Sequence, residues 1–336
     1  MSIKKTKIWI YFRGLKNNRL KKRNYSNAKK MKECEYEQYL NQRYAHFMNK
    51  RDYTKGKTLS FENPTTFSEK SQWIKLYDQD PRKNIYSDKY EVRKYIKEML
   101  GEDYLTPLIS IDGKDCFENA KMISFDKLPN NFVLKCTHGS HMNVIVKDKT
   151  LLSKKDIKNI KAKLNKWLKI DYCYFVSLET QYKEIKPRII IEQFNSDIGV
   201  ARDYKFMCFH GKCEYFWINE NCVDEKNETC TTFSSDLKVA PFNMNVGFRK
   251  NISDYSLPSS IKEMIKIAEK LSSDFSFVRV DLYNFNGKIL FGEMTFNSAA
   301  GYDVPFPAEY DLFLGNLMLI DKSKRDNNYR YRKKHD

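Results

Sequence analysis

The chain has 336 residues and a formal net charge of +17. This length exceeds that of one average domain, so we expect two or three lobes that share a cleft and a substantial core. The eight cysteines include no CxxC pair, which excludes a disulfide-stabilised miniprotein and indicates reduced thiols. No segment approaches the roughly 18 apolar residues of a membrane span, and no signal peptide is recognisable. These properties predict a cytoplasmic globular protein.

The positive charge is concentrated at the two ends of the chain. Residues 1–30 contain eleven Lys or Arg and no acidic residue, and residues 322–336 contain seven basic and two acidic residues. The residues between these ends are therefore close to neutral overall. A bias in genome composition would spread the charge evenly, so the basic ends call for a separate explanation.

The N-terminal arm combines this charge with apolar side chains. Ile8, Tyr11, Phe12 and Leu15 lie at helical spacing, which predicts a basic amphipathic helix on an anionic membrane surface. A solvated arm and an arm that binds RNA are alternatives. The adjacent aromatic residues favour lipid over nucleic acid.

Helices and antiparallel strands follow the arm in alternation. We predict an α+β protein, because single helices separate hairpins and the repeated βαβ pattern of a doubly wound sheet is missing. The pattern predicts helices in 35–60, 68–77, 87–100, 153–168 and 260–271, strands in 104–110, 132–136, 143–146 and 186–194, hairpins in 202–219 and 277–297, and irregular structure in 220–257.

The last hairpin, "FVRVDLYNFNGKILFGEMTFNSAAG", carries the most informative pattern. Arg279 and Asp281 alternate with apolar residues on its first strand, so they share one face. A two-residue turn would send Glu293 to the other face. A three-residue loop, Phe285–Gly287, would place Glu293 opposite Arg279 and beside Asp281. We therefore predict the three-residue loop.

Two carboxylates this close repel each other unless a cation lies between them. Mg²⁺ fits, since proteins bind it through one or two carboxylates while water and phosphate oxygens complete its shell. Arg279 beside Asp281 and Glu293 would stabilise negative charge that develops during phosphoryl or acyl transfer. The alternative is a set of exposed ion pairs that only stabilises the strands.

Several motifs together resemble one known family. The hairpin is similar to the closing segment of ATP-grasp ligases such as D-alanine–D-alanine ligase, which reads Arg-x-Asp, a turn and Glu-x-Asn. "NFVLKCTHGSHMN" resembles their strand lysine and phosphate loop, "SDKYEVR" their Asp-Lys-x-x-x-Lys helix, and "IIIEQF" their adenine-binding hinge. With "FSEKSQWIKLYDQDP" and "DYKFMCFHGK", the order of motifs over about residues 35–320 is most similar to the TupA-like ATP-grasp family of teichuronopeptide biosynthesis.

This resemblance implies a fold in which two α+β lobes hold ATP, preceded by a helical basic extension. The implied organisation is a basic amphipathic arm (1–34), a helical region before the ATP-grasp lobes (35–125), a small lobe with a phosphate flap (126–192), a C-terminal lobe with the metal-binding hairpin (193–320) and a basic tail (321–336).

The resemblance also implies a role for each matching residue. Arg93, where better-known ligases have lysine, and Lys135 would neutralise the α- and β-phosphates of ATP. The remaining roles are a flap over the phosphates (His138, Gly139, Ser140), adenine binding (Glu192, Gln193, Phe194), ribose binding (Asp203), γ-phosphate contact (Lys205), anion stabilisation (Arg279) and Mg²⁺ ligation (Asp281, Glu293).

Two positions depart from the family pattern. Thr295 stands where many ATP-grasp enzymes have a metal-binding Asn, so a second Mg²⁺ would be held more weakly or through Asn297. His141 stands where relatives have a second glycine in the flap. A bulkier flap would close more slowly.

The implied function is ATP-dependent ligation of a carboxylate to an amine through an acyl phosphate, without a nucleophilic Ser or Cys. The family context implies a bacterial capsular or cell-surface polysaccharide, with a uronic acid or amino acid as substituent. The basic arm would suit lipid-linked substrates at the inner membrane face. A kinase that phosphorylates a sugar or amino acid and a non-catalytic nucleotide-binding scaffold are alternatives. The sequence leaves the substrates and the oligomeric state open.

Overall fold

Two antiparallel sheets form the framework of the protein. The structure is a computed structural model that describes residues 10–13, 19–32, 35–175, 178–194, 202–220, 229–244, 256–285 and 287–326. Within these residues the strands are β1 (Ile10–Arg13), β2 (Cys116–Phe117), β3 (Phe132–Cys136), β4 (Asn143–Val146), β5 (Ile189–Gln193), β6 (Arg202–Phe209), β7 (Lys212–Glu220), β8 (Thr229–Ser234), β9 (Phe277–Phe285) and β10 (Lys288–Thr295).

Helices cover both sheets and connect them. They are α1 (Arg19–Lys30), α2 (Tyr36–Met48), α3 (Phe67–Tyr77), α4 (Arg82–Ser87), α5 (Val92–Met99), α6 (Lys154–Trp167), α7 (Tyr172–Phe175), α8 (Ile261–Ser272), α9 (Tyr310–Leu317) and α10 (Ser323–Asp326). None of the described helices is long and apolar enough to cross a bilayer.

The smaller sheet has the strand order β1-β4-β3-β5-β2. Its apolar side chains pack against α6 in one core, which includes Leu134, Ile160, Leu164 and Ile191. A capping box between Ser153 and Asp156 begins α6, which agrees with the helix that the sequence predicts from residue 153. The packed sheet therefore fixes the positions of the loop between β3 and β4 and of the end of β5.

The larger sheet has the order β10-β9-β6-β7-β8 and is covered on both faces. One face packs against α8 through side chains such as Phe206 and Val280. The other face packs against α3 through Met207, Trp217 and Phe277. Residues at alternate positions of the central strands therefore lie either under α8 or on the α3 side.

The structure corrects several expectations from the sequence. Tyr11 and Phe12 lie in a strand that pairs with β4, so this part of the arm is not a helix; Ile8 and Leu15 lie outside the described residues. Thr66 caps α3 and Glu69 completes the capping box, so this helix begins one residue earlier than the expected 68. The strand expected in 104–110 is replaced by an isolated bridge between Leu108 and Glu192, and the region expected to be irregular contains β8.

Candidate functional site

The last hairpin brings Asp281 and Glu293 together, but by a different route from the one expected. Lys288 pairs with Phe285, so the loop has two residues and the three-residue prediction is wrong. The register shifts between Phe291 and Glu293, which places Glu293 directly opposite Asp281. A β-bulge adds one residue to one strand and so reverses which face the following side chains occupy.

Gly292 is the extra residue of this bulge. A Cβ atom at this position would lie 2.9 Å from the Asp281 carbonyl oxygen and 3.1 Å from the Tyr283 ring. The close approach of the two backbones therefore requires glycine here. The bulge also places Thr295 opposite Arg279, so four polar side chains meet on one face of β9 and β10.

Arg279 is the centre of this polar group. Its Nε and Nη2 donate to the two carboxylate oxygens of Asp281 at 2.6 and 2.7 Å. Nη2 also donates to Glu293 Oε1 (3.2 Å) and Thr295 Oγ1 (3.1 Å), and Nη1 donates to Ser298 Oγ (2.5 Å). A bidentate pair of this kind fixes the plane of the guanidinium.

Lys205 extends the polar group to β6. It lies opposite Asp281 in the sheet, and its Nζ donates to Asp281 Oδ2 (2.7 Å) and Asp203 Oδ2 (2.6 Å). Asp203 Oδ1 is buried and has no hydrogen-bond partner within the described residues. One carboxylate oxygen on this surface is therefore left for another hydrogen-bond donor.

The charges of this group favour the ionised forms of Glu293, Lys205 and Arg279, whereas burial raises the pKa of Asp281. Burial opposes the ionisation of Glu293, but the positive charges of Lys89, Arg279 and Lys205 outweigh it and lower its pKa to about 2. Burial also opposes the charges of Lys205 and Arg279, yet the nearby carboxylates, Asp281 among them, raise both pKa values. The site thus presents fixed charges of both signs in a largely buried setting.

The donor set fits a magnesium ion that is shared with a phosphate. Asp281 and Glu293 supply only oxygen ligands from adjacent strands, which is what Mg²⁺ prefers. Across the described residues there is no cluster of three or more His, Cys, Asp or Glu that could hold a metal. Protein groups of these types alone would leave the ion incompletely coordinated, so water and phosphate oxygens would have to complete its shell.

The smaller sheet contributes a second charged group. Lys135 on β3 lies 2.5 Å from Glu192 on β5, and Arg93 on α5 lies 3.9 Å from the other oxygen of Glu192. Arg93 also donates to the Thr106 carbonyl at 2.8 Å. The structure thus brings three of the residues assigned to nucleotide binding into one cluster. Both oxygens of Glu192 already face cations.

Lys89 interacts electrostatically with members of both charged groups, and it is not among the residues predicted from the sequence. Its Nζ donates to the Gly139 carbonyl at 2.7 Å and its backbone N–H to the Thr137 carbonyl at 3.3 Å. Burial and the charge of Lys135 lower the pKa of Lys89, whereas Glu293 and other carboxylates oppose this. The signal in the sequence is the lysine of "DK" in "SDKYEVR", a motif that resembles the Asp-Lys-x-x-x-Lys helix of ATP-grasp ligases.

The loop between β3 and β4 lies against α7. A Cβ atom on Gly139 would lie 2.3 Å from the Tyr172 ring, so this contact requires glycine. Ser140 hydrogen-bonds Tyr172, and His138 is buried with its Nε2 3.2 Å from the Trp167 carbonyl. His141 has φ +58, the left-handed region that glycine occupies without strain. The position of the missing family glycine is therefore the one whose backbone favours glycine.

Three residues with predicted roles, Asn297, Gln193 and Phe194, lie outside the hydrogen-bonded group around Arg279. The side chain of Asn297 is buried and hydrogen-bonds Gln181 at 2.7 Å, so its role as a metal ligand stays a prediction. Gln193 ends β5, with its backbone N–H donating to the Pro107 carbonyl at 3.0 Å. Phe194 follows it and is half-buried. Their adenine-binding roles also stay predictions.

Two antiparallel sheets, a polar hairpin, a glycine-containing loop between β3 and β4, and lysines from both sheets define an α+β protein of the ATP-grasp fold. The chain matches the family described as TupA-like ATPgrasp over residues 69–319. It therefore belongs to the TupA-like ATP-grasp family. No functionally curated protein has significant sequence similarity to the chain.

Solved structures with distant likeness include several ligases. D-alanine–D-alanine ligase from Bacillus anthracis complexed with ATP is 14% identical, with 73% of this chain and 69% of that chain covered and a TM-score of 0.39. D-cycloserine synthetase DcsG is 11% identical, with 84% and 95% covered and a TM-score of 0.39. ATP-grasp ligase PsnB complexed with minimal precursor, Mg and ADP is 10% identical, with 68% and 58% covered and a TM-score of 0.35.

Proposed function

We propose that this protein is an ATP-dependent ligase that joins a carboxylate to an amine through an acyl phosphate. The observation that carries the proposal is the face shared by Glu293, Asp281 and Lys205, which lie side by side on three adjacent strands. Arg279 is bonded into the same face. Such a surface, with fixed charges in a largely buried setting, suits phosphoryl transfer, which depends on positioning and charge neutralisation.

The phosphates of ATP would lie between the two charged groups. Lys135 faces this region from the smaller sheet, and Lys89 faces it from the segment before α5. Arg93, which lies 3.9 Å from Glu192, is the third cation. A triphosphate would replace the Gly139 carbonyl as the acceptor for Lys89. The flap would then be free to move with the nucleotide.

Asp281 and Glu293 would hold Mg²⁺, with Asn297 as a further ligand for a second ion. The ion would neutralise the phosphate oxygens and keep the terminal phosphoryl group oriented. Asp203 would use its unpaired Oδ1 as an acceptor for a ribose hydroxyl. These roles agree with the charges and hydrogen bonds of the described residues.

Arg279 and Lys205 would then act on the reacting groups. Within the described part of the chain, the Nη1 of Arg279 donates a hydrogen bond to Ser298 and to no other residue. One of its hydrogens therefore remains for a carboxylate or acyl phosphate. Lys205 would follow the terminal phosphate as it moves to the carboxylate oxygen. The amine would attack the acyl carbon and release phosphate.

We further propose that the product belongs to a bacterial capsular or cell-surface polysaccharide. The carboxylate would be a uronic acid, or an amino acid that is added as a substituent. The basic ends of the chain would suit a lipid-linked saccharide at an anionic inner membrane surface, whereas nucleic acid is a less suitable partner. The protein would then be cytoplasmic and peripheral to the membrane.

The test is ADP release in the presence of Mg²⁺, screened over pairs of uronic acids and amines. We expect release that needs both substrates and is lost in the double variant Asp281→Asn/Glu293→Gln. The exposed Glu98 on α5 provides a matched control, because Glu98→Gln also removes a carboxylate. Release that survives in the double variant would contradict the proposed site.

Product analysis distinguishes the alternatives. A stable phosphorylated compound formed without any amine would identify a kinase. Binding of Mg²⁺ and ATP without turnover over the whole screen would identify a scaffold. An amide product with one phosphate released for each ADP would support the ligase.

A further inference from the structure

Asp303 is a carboxylate beside the reacting groups, and the proposed function leaves it without a role. The Ser298 hydroxyl donates to Asp303 Oδ2 and accepts from the Nη1 of Arg279 at 2.5 Å. Two hydrogen bonds in series place the carboxylate within about 6 Å of the guanidinium. Asp303 also interacts electrostatically with both Arg279 and Lys205. It therefore lies next to the two residues that would act on the acyl phosphate.

The Oδ1 atom of Asp303 is available to a ligand. Within the described part of the chain, Ser298 alone hydrogen-bonds the Asp303 side chain, and no ion pair reaches it. The neighbouring cations are engaged elsewhere, because Arg279 and Lys205 contact Asp281 at 2.6 and 2.7 Å. Asp303 is partly exposed, so a small molecule can contact it. A carboxylate oxygen in this setting suits a cationic hydrogen-bond donor.

Burial makes Asp303 a stronger base than an ordinary aspartate, because it raises the pKa of the carboxyl group. The weaker, opposing effects are the hydrogen bond from Ser298 and the positive charges of Arg279, Arg51 and Lys205. A general base works best when its pKa lies near the working pH. The raised pKa thus suits a carboxylate that takes a proton from a substrate.

The loop that leads to Asp303 is held in a strained conformation. Ala299 and Ala300 have φ +46 and +58, in the left-handed region that costs a residue with a Cβ roughly 1 kcal/mol or more. Helix α3 holds this loop in place, because Gln72 and Lys75 both donate to the Ala300 carbonyl, at 3.2 and 2.8 Å. Strain that the surrounding structure maintains is typical of functional sites. The contacts with α3 therefore fix the backbone that carries Asp303.

We propose that Asp303 binds the ammonium group of the amine substrate and accepts a proton from it. An ammonium nitrogen has no lone pair, so it has to lose a proton before it can attack. Transfer of that proton to Asp303 Oδ1 leaves a neutral amine, whose lone pair forms the C–N bond at the acyl carbon. The C–O bond to phosphate breaks with its electron pair, and the second proton passes from nitrogen to the leaving phosphate. This assignment rests on the proposed function and identifies its nucleophile as an amine that arrives protonated.

Hydroxylamine tests the assignment, because it is uncharged at neutral pH and attacks an acyl phosphate without first losing a proton. The reactions contain the full chain, ATP, Mg²⁺ and glucuronate or galacturonate. The nucleophile is hydroxylamine in one series and glycine, L-alanine, L-glutamate or glucosamine in the other. We expect the wild type to form both the hydroxamate and at least one amide.

Asp303→Asn should keep hydroxamate formation close to the wild-type rate, which also shows that the variant is folded. Amide formation should fall about 100-fold or more, as loss of a general base predicts, and the KM for ATP should not change. Asp303→Glu retains a carboxylate and should recover part of the amide rate. Asp52→Asn is the matched control, because Asp52 is exposed, and it should leave both reactions unchanged.

An amide rate in Asp303→Asn equal to that of the wild type would overturn the assignment. Equal losses of hydroxamate and amide in both Asp303 variants, or hydroxamate without amide from any of these amines in the wild type, would overturn it as well. A wild type that releases no ADP and forms no hydroxamate would instead refute the proposed ligase.

Discussion

Asp281 lies directly opposite Glu293 across β9 and β10, although the turn that joins these strands has only two residues. A regular hairpin with this turn would place the two carboxylates on opposite faces. The bulge at Gly292 restores them to one face. The site therefore depends on one backbone irregularity as much as on its charged residues.

Replacement of Gly292 tests this dependence. In Gly292→Ala the new Cβ would meet the Asp281 carbonyl at 2.9 Å, so we expect a loss of about 1 to 3 kcal/mol in the free energy of unfolding, as for overpacked sites. Binding of Mg²⁺ with ATP should weaken because the carboxylates separate. Urea unfolding and titration calorimetry measure the two effects.

Gly287 in the same hairpin provides the control. It has φ +95 and open space around its Cβ position. Gly287→Ala should cost about 1 kcal/mol through backbone strain and leave nucleotide binding unchanged. Equal nucleotide affinity in Gly292→Ala and wild type would show that the bulge does not position the site.

The sequence predicts the polar face of the hairpin but not how it forms. Alternation of Arg279 and Asp281 with apolar residues is a local property, and it was sufficient to predict that these two residues share a face. The bulge depends on the fit of Gly292 against Asp281 across the hairpin, which residue type alone does not reveal. The same holds for Lys89, whose position depends on packing against a loop about 50 residues later.

Neutralising Lys89 should weaken ATP binding more than neutralising its exposed neighbour Lys94. Lys89 interacts electrostatically with Glu293 and Lys135 and hydrogen-bonds the loop between β3 and β4, whereas Lys94 is exposed and lies 3.9 Å from Glu98. We expect Lys89→Met to reduce ATP affinity about tenfold or more, as for loss of a charge-assisted hydrogen bond. Lys94→Met should change it little. Calorimetric titration with ATP and Mg²⁺ gives both values, and equal affinities would remove Lys89 from the phosphate site.

The contact between Gly139 and Tyr172 should be sensitive to a single methyl group. In Gly139→Ala the Cβ would lie 2.3 Å from the Tyr172 ring, so the loop has to move away from α7. We expect weaker ATP binding and faster cleavage of the loop by protease. The double variant Gly139→Ala/Tyr172→Leu makes room for the methyl group and should recover part of the loss. Additive effects of the two substitutions would indicate that the residues are not coupled.

The buried amine of Lys75 should make stability depend on pH. Burial is the main cause that lowers its pKa from 10.5 to about 7; Glu179 and Cys173 oppose this effect, and Arg43 adds to it. Between these two pKa values the unfolded chain binds more protons than the folded protein. The free energy of unfolding should therefore rise with pH from 7 toward 10.5, by about 1.4 kcal/mol per unit from this group. Below pH 7 the contribution is constant, because Lys75 is protonated in both states.

Urea unfolding at pH 6, 7, 8 and 9 measures this dependence. Lys75→Met should remove the rise between pH 7 and 9, because methionine fills much of the same volume without an ionisable group. Lys50→Met should keep it, since Lys50 is exposed. The same slope in Lys75→Met and wild type would mean that another group titrates in this range. A slope confined to the wild type and Lys50→Met would establish that the amine beside Ala300 loses its proton on folding above neutral pH.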